Sequence, residues 1–160
     1  MAEKEKATIV VFSGDLDKVY AAFIIATTAA AMGKDVSMFF TFWGLNVLRK
    51  KKFSFGAPRF LQKMFGFMNR GGAERLPLSK FHMFGLGTFF MKFLMKRYNM
   101  QKISEMIKLA KQLKIKMIAC TTSIGVMGMA KEDFIPEVDE IAGASTYLGL
   151  AFEGNVNLFI

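Results

Sequence analysis

Five consecutive β-branched or aromatic residues, Thr8-Ile9-Val10-Val11-Phe12, run directly into Ser13-Gly14-Asp15 and then an alanine-rich stretch from Leu16 to Met32. No other feature constrains the fold as much. A strand with no polar alternation is buried on both faces, as central parallel strands are. Ser13-Gly14-Asp15 supplies turn and N-cap chemistry, and Gly33 is placed to close the helix. The unit then repeats. Asp35 to Thr41 reads as a second strand, and Trp43 to Leu48 starts a short helix. Gln101 to Leu113 sets Ile103, Met106, Ile107 and Ala110 on one helical face. Met117 to Cys120 is a third strand, followed by a helical turn around Ile124 to Met127. Ile141-Ala142 closes a fourth strand, Ala144 to Phe152 is a helix, and Asn157 to Ile160 is a terminal strand. Strands alternating with helices predict an α/β fold with a parallel sheet and helices on both faces.

One segment breaks this rhythm. Residues 49–97 hold twelve of the 22 Lys and Arg residues but only one acid, Glu74, and ten of the eighteen Phe. They carry +11, so the net +9 of the chain belongs to this stretch. Two amphipathic pieces, Pro58 to Met68 and Phe84 to Arg97, flank Asn69 to Ala73 and Pro77. The expectation is a helical hairpin or flap with a mobile centre, a basic insertion over residues 50–97 within one domain spanning 1–160. A cationic face beside a Phe/Met face suits an anionic membrane surface. It equally suits a protein partner or self-association, since Met-rich surfaces repack easily. Nucleic acid is the weaker fit, because no recognised module accompanies the charge. The flap is also placed to cover a reactive group and exclude water.

The longest apolar stretch, Val19 to Met32, falls short of the roughly 20 residues that span a bilayer. Met1 to Lys6 is charged, with no apolar signal core, and a single cysteine fits a reducing compartment. The expected location is cytoplasmic, extending to the inner membrane face if the flap binds lipid.

That cysteine, Cys120, ends the third strand and precedes Thr121-Thr122-Ser123-Ile124-Gly125. The carboxyl edge of a parallel sheet is where ligands and reactive groups collect. Two readings stand: a small apolar residue closing a core strand, or a thiolate stabilised by backbone N–H groups of Thr121 to Gly125. Ser13-Gly14-Asp15 and Thr41-Phe42-Trp43-Gly44 follow strands one and two, so the same edge collects Gly14, Asp15, Thr41, Trp43 and Gly44 near Cys120. Ordinary turn chemistry is the plainer reading for Asp15, and packing for Trp43. One His and one Cys exclude a Cys/His zinc cluster, and no metal is expected. No phosphate-cradling glycine motif follows strand one, and no cofactor is expected. His82 is the sole candidate base for Cys120, but it lies in the flap.

Gly14-Asp15-Leu16-Asp17-Lys18, Ala29 to Gly33, Phe39-Phe40-Thr41-Phe42-Trp43-Gly44-Leu45, and Cys120 with Met127-Gly128 resemble the DsrE/DsrF-like sulfur-relay proteins. The similarity is to the branch with a long hydrophobic insertion after the Phe-Thr-Phe-Trp-Gly-Leu string. The resemblance implies a flavodoxin-like sheet, homo-oligomers, and sulfane sulfur carried as a persulfide on a cysteine, which corresponds here to Cys120. It implies rhodanese-like and TusA-like sulfur carriers as partners, in places at a membrane. Loops at Gly14 and Trp43 would shape the pocket, and N–H groups near Thr121 and Ser123 would hold the anion. The branch pattern Cys-x-Met-Ser-Met-Asp stands here as Cys120 to Gly125, with Gly125 in place of the acid. The reading that follows is a sulfur carrier or sulfurtransferase, with a non-catalytic docking module as the alternative.

Overall fold

In the computed structural model, which describes residues 5–50 and 71–160, the apolar runs form five parallel strands. They are β1 (Lys6–Val11), β2 (Asp35–Phe40), β3 (Lys116–Cys120), β4 (Glu140–Ala142) and β5 (Val156–Phe159). Their spatial order is β4-β3-β2-β1-β5. The helices are α1 (Leu16–Ala31), α2 (Leu86–Arg97), α3 (Ile103–Gln112), α4 (Thr121–Val126) and α5 (Ala144–Phe152).

Register explains how the core divides. Val10 pairs Phe39, and Phe39 pairs Ile118. This row faces α5, where Tyr147 and Leu150 pack on a small cluster that includes Cys120 and Ala142. Side chains alternate along a strand, so Ile9, Val11, Met38, Phe40 and Met117 face the other way, into the main core with α1 and α3. Both faces therefore carry helices, as expected. Phe23 and Phe40 are fully buried in the main core, and truncating either to alanine costs about 3–5 kcal/mol.

Element boundaries differ from the expected ones for local reasons. β1 starts at Lys6, because Lys6 pairs with Asp35 at the strand entrance. The segment after β2 is a 3₁₀ helix, Phe42–Leu48, tightened by the Gly44 N–H donating to the carbonyls of Thr41 and Phe12. The turn expected from Ile124 is instead a helix beginning at Thr121, with no intervening loop after β3.

Of the insertion, the Pro58 to Met68 helix lies outside the described residues. Its later part is bonded to the body, including Gly71 to Pro77, which was expected within a mobile centre. The Gly72 N–H donates to Asn46 O at 2.8 Å, and the Leu16 N–H donates to Pro77 O at 2.6 Å. Asp17 accepts both the N–H and the hydroxyl of Ser79. Glu74, the one acid of the segment, accepts the Ser104 hydroxyl at 2.6 Å. α2 begins at Leu86 and not at Phe84, because Phe84 and Gly85 hold left-handed backbone at φ 54° and 98°.

Candidate functional site

Cys120 is the last residue of β3 and the N-cap of α4. The strand fixes its backbone, and the helix that starts at the next residue turns fresh N–H groups back toward it. The residue is only 6 % exposed, as the apolar-packing alternative requires. Its surroundings are nonetheless polar. Burial pushes the thiol pKa up, but the Ser123 N–H, the hydroxyls of Ser123 and Thr41, and the Thr122 N–H bond the sulfur and outweigh it. The net result is a thiol below its ordinary value.

The two hydroxyls also bond each other, Thr41 Oγ1 to Ser123 Oγ at 2.8 Å. Ser123 is 1 % exposed. Two hydroxyl hydrogens serve three contacts, one between the oxygens and two to sulfur. While one hydrogen lies between the oxygens, a single hydroxyl donates to Cys120, and the pair can exchange which one does.

The sequence-derived residues sort into three groups. Thr41 and Ser123 reach the sulfur. Thr121 and Gly125 are exposed on α4, and the N–H groups that bond the sulfur belong to Thr122 and Ser123, not Thr121. A Cβ at Gly125 would meet open space. Gly14, Asp15, Trp43 and Gly44 act away from the thiol. A Cβ on Gly44 would stand 2.0 Å from Val11 O, and one on Gly14 2.7 Å from Trp43 O, so both glycines allow loop and strand to touch. Asp15 occupies the N-cap position of α1 without a side-chain cap. Its carboxylate accepts from the Ser13 hydroxyl at 2.9 Å and from Lys18 at 2.8 Å, which is turn chemistry. Trp43, 42 % exposed, lines a cleft of about 570 Å³ with Phe12, Asp15, Arg75 and His82. His82 Nδ1 meets Thr88 Oγ1 at 3.0 Å, so its ring is engaged within the insertion and not with Cys120.

Sequence reasoning missed Arg75 in the cleft and the backbone of Phe42, which sits at φ 45° directly after Thr41. Such a conformation costs a non-glycine residue on the order of 1–2 kcal/mol. Phe42 is held by its contact with the Phe12 ring, centroids 5.4 Å apart.

A family profile described as DsrE/DsrF/DrsH-like matches residues 3–159. The chain belongs to that family. It is 41% identical over 158 residues to a Bacillus subtilis protein, YrkE, described as uncharacterized, covering 99% of this chain and 98% of that one. It is 36% identical over 167 residues to the sulfur carrier protein DsrE2 of Allochromatium vinosum, covering 99% of each. Among solved structures, the ychN protein of E. coli superposes with a TM-score of 0.56 at 12% identity, over 98% of this chain and 99% of that one. MTH1491 from Methanobacterium thermoautotrophicum, a protein of unknown function, gives 0.52 at 11%, over 98% and 100%. At such identities these two show the fold alone. The parallel α/β sheet with helices on both faces expected of the family is thus observed, with the strand order 4-3-2-1-5 in place of the flavodoxin order 2-1-3-4-5.

Proposed function

We propose that this DsrE-family member is a sulfur carrier in a relay, with Cys120 as the residue that holds sulfane sulfur. The observation that carries the reading is the thiol itself: it sits at the carboxyl edge of the sheet, with hydrogen bonds that favour its anion over the cost of burial. The 36% identical relative named as a sulfur carrier supports the same reading. In the loading step the Cys120 thiolate attacks the terminal sulfur of a donor persulfide, R–S–SH. The Cys120 S–S bond forms, the donor S–S bond breaks, and the electron pair leaves as R–S⁻, which takes up a proton. Unloading is the same exchange with an acceptor thiolate attacking the outer sulfur. Both rates follow thiolate fraction and access.

Rhodanese-like donors and TusA-like acceptors are the partner classes this reading calls for, in a cytoplasmic homo-oligomer. The test is transfer of labelled sulfur from a persulfidated donor protein to an acceptor thiol through the wild type and through Cys120→Ser. The reading expects loss of relay in the variant; unchanged relay would sink it.

The insertion supports a second reading, docking on an anionic membrane surface or a protein. α2 leaves Phe89, Phe90 and Phe93 exposed and ends in Lys96 and Arg97. No helix among the described residues is long and apolar enough to cross a membrane. Salt-sensitive co-sedimentation with anionic vesicles, lost in Phe89→Ser/Phe93→Ser, is the expected result. Equal sedimentation of both proteins would count against lipid docking by α2.

A further inference from the structure

The cleft over the ends of β1 and β2 holds chemistry that the thiol site does not use. Its volume, about 570 Å³, is within the range of small-ligand sites. Phe12, Trp43 and Leu76 give it apolar walls, and Lys18 and Arg75 give it cations beside the His82 imidazole. Asp15 is the one acid in the lining, and Lys18 neutralises it at 2.8 Å. That leaves Arg75, which forms no ion pair among the described residues.

His82 adds a second donor. Thr88 Oγ1 accepts the Leu78 N–H at 3.2 Å and can donate its own hydrogen to His82 Nδ1 at 3.0 Å. An imidazole that accepts at Nδ1 carries its hydrogen on Nε2. The α1 N-terminus is not part of the recognition, since the Leu16 N–H is taken by Pro77 O. A guanidinium and an imidazole N–H beside aromatic walls suit a small ligand bearing carboxylates.

Phe12, one wall of the cleft, stands in line with the thiol. Val11 pairs Phe40, and Phe40 pairs Ala119. The residues that follow, Phe12 and Thr41 just past β1 and β2 and Cys120 at the end of β3, form the next row, on the α5 face of the sheet. Two strand spacings, roughly 10 Å, separate the cleft wall from the cysteine position, and an extended tripeptide covers about that distance. We propose that the cleft binds the anionic body of a tripeptide-sized, low-molecular-weight persulfide and presents its sulfane sulfur to Cys120. This rests on the sulfur-carrier reading for its chemistry. The step is the balanced exchange above: Cys120 bonds the terminal sulfur, and the small thiol leaves with the electron pair and a proton.

Trp43 is the sole tryptophan and lines the cleft, so its fluorescence reports occupancy without any sulfur chemistry. Titration with S-methylglutathione, which cannot donate sulfur, should give a saturable change in the full-length protein. The apparent affinity should fall at least tenfold in Arg75→Glu and hold in Lys108→Glu, an equal charge change on exposed α3 surface. A titration that does not saturate, or one that Arg75→Glu leaves unmoved, overturns the cleft assignment whatever Cys120 does. In a second arm, intact-mass loading rates with glutathione persulfide and with inorganic polysulfide are compared within each variant. A persulfide-to-polysulfide ratio at least tenfold lower in Arg75→Glu is expected, and an unchanged ratio overturns delivery through the cleft. Saturable binding with no loading of Cys120 by either donor overturns delivery and the sulfur-carrier reading together, while leaving the cleft as a binding site.

Discussion

Thr41 Oγ1 and Ser123 Oγ stand 2.8 Å apart although 82 positions separate them in sequence, and either hydroxyl can donate to the sulfur of Cys120. β2 delivers one and the first turn of α4 the other. The parallel pairing of β2 with β3 therefore does more than build a sheet: it assembles a donor pair around a thiol that burial alone would keep protonated.

Removing a donor should lower reactivity. Ser123→Ala and Thr41→Val each take away a hydrogen bond to the thiolate, and losing about 1.4 kcal/mol of anion stabilisation cuts the anion population roughly tenfold. The alkylation rate at pH 7 should fall accordingly in each, with the midpoint of the rate–pH curve moving up. Equal curves for wild type and both variants would show that the hydroxyls do not tune the thiol.

The same lowered thiol makes stability depend on pH. The folded protein releases the Cys120 proton at lower pH than the unfolded chain does. Between those two values the unfolded chain binds more protons, so stability rises with pH across that window. The contribution is present above the unfolded thiol value and lost as pH falls through the folded one. Denaturation series with wild type and Cys120→Ser should diverge over that window and run parallel below it.

Gly125 stands where an acid is expected in related sequences, about 8 Å along the helix from Cys120. A Cβ there meets nothing within 4 Å, so Gly125→Asp should fold. A carboxylate near the sulfur disfavours the thiolate. Alkylation at pH 7 should slow, with the thermal midpoint little changed; a faster reaction would assign that acid the opposite role.

α5 packs over the sheet face that carries the thiol. Tyr147 stacks on Phe39, centroids 5.1 Å apart, and packs with Leu150 on the cluster that contains Cys120. Leu150→Ala should raise the alkylation rate severalfold, at a stability cost of order 2 kcal/mol because Leu150 is only partly buried. An unaltered rate would place the entry route elsewhere.

Much of this arrangement was legible in the chain. The unbroken apolar runs at Thr8–Phe12 and Met117–Cys120 carried the parallel sheet, and the amphipathic spacing of Ile103, Met106, Ile107 and Ala110 carried α3. Cys120 at a strand end, with hydroxyl residues after it, marked the candidate site. Register was not legible. Nothing local states that Phe40 faces Ala119, so the pairing of Thr41 with Ser123 had no sequence signal. The place of Arg75 and His82 in the cleft was hidden for the same reason, since both come from a segment whose docking depends on distant partners such as Leu16 and Asp17. The exclusion at Gly44 likewise exists only in three dimensions. Gly44→Ala would press a methyl against Val11 O, 2.0 Å away, and should cost at least about 1–3 kcal/mol in chemical denaturation. Full stability in that variant would show that the loop can relax.

The central claim is that Cys120 accepts sulfur, and intact-protein mass spectrometry after incubation with inorganic polysulfide tests it most directly. The account predicts a gain of about 32 Da per sulfur on the wild type, reversed by reductant and absent in Cys120→Ser, through thiolate attack on the donor sulfur. An unmodified wild-type mass, with Cys120 also inert to alkylation in the folded protein, would contradict it and make the residue core packing.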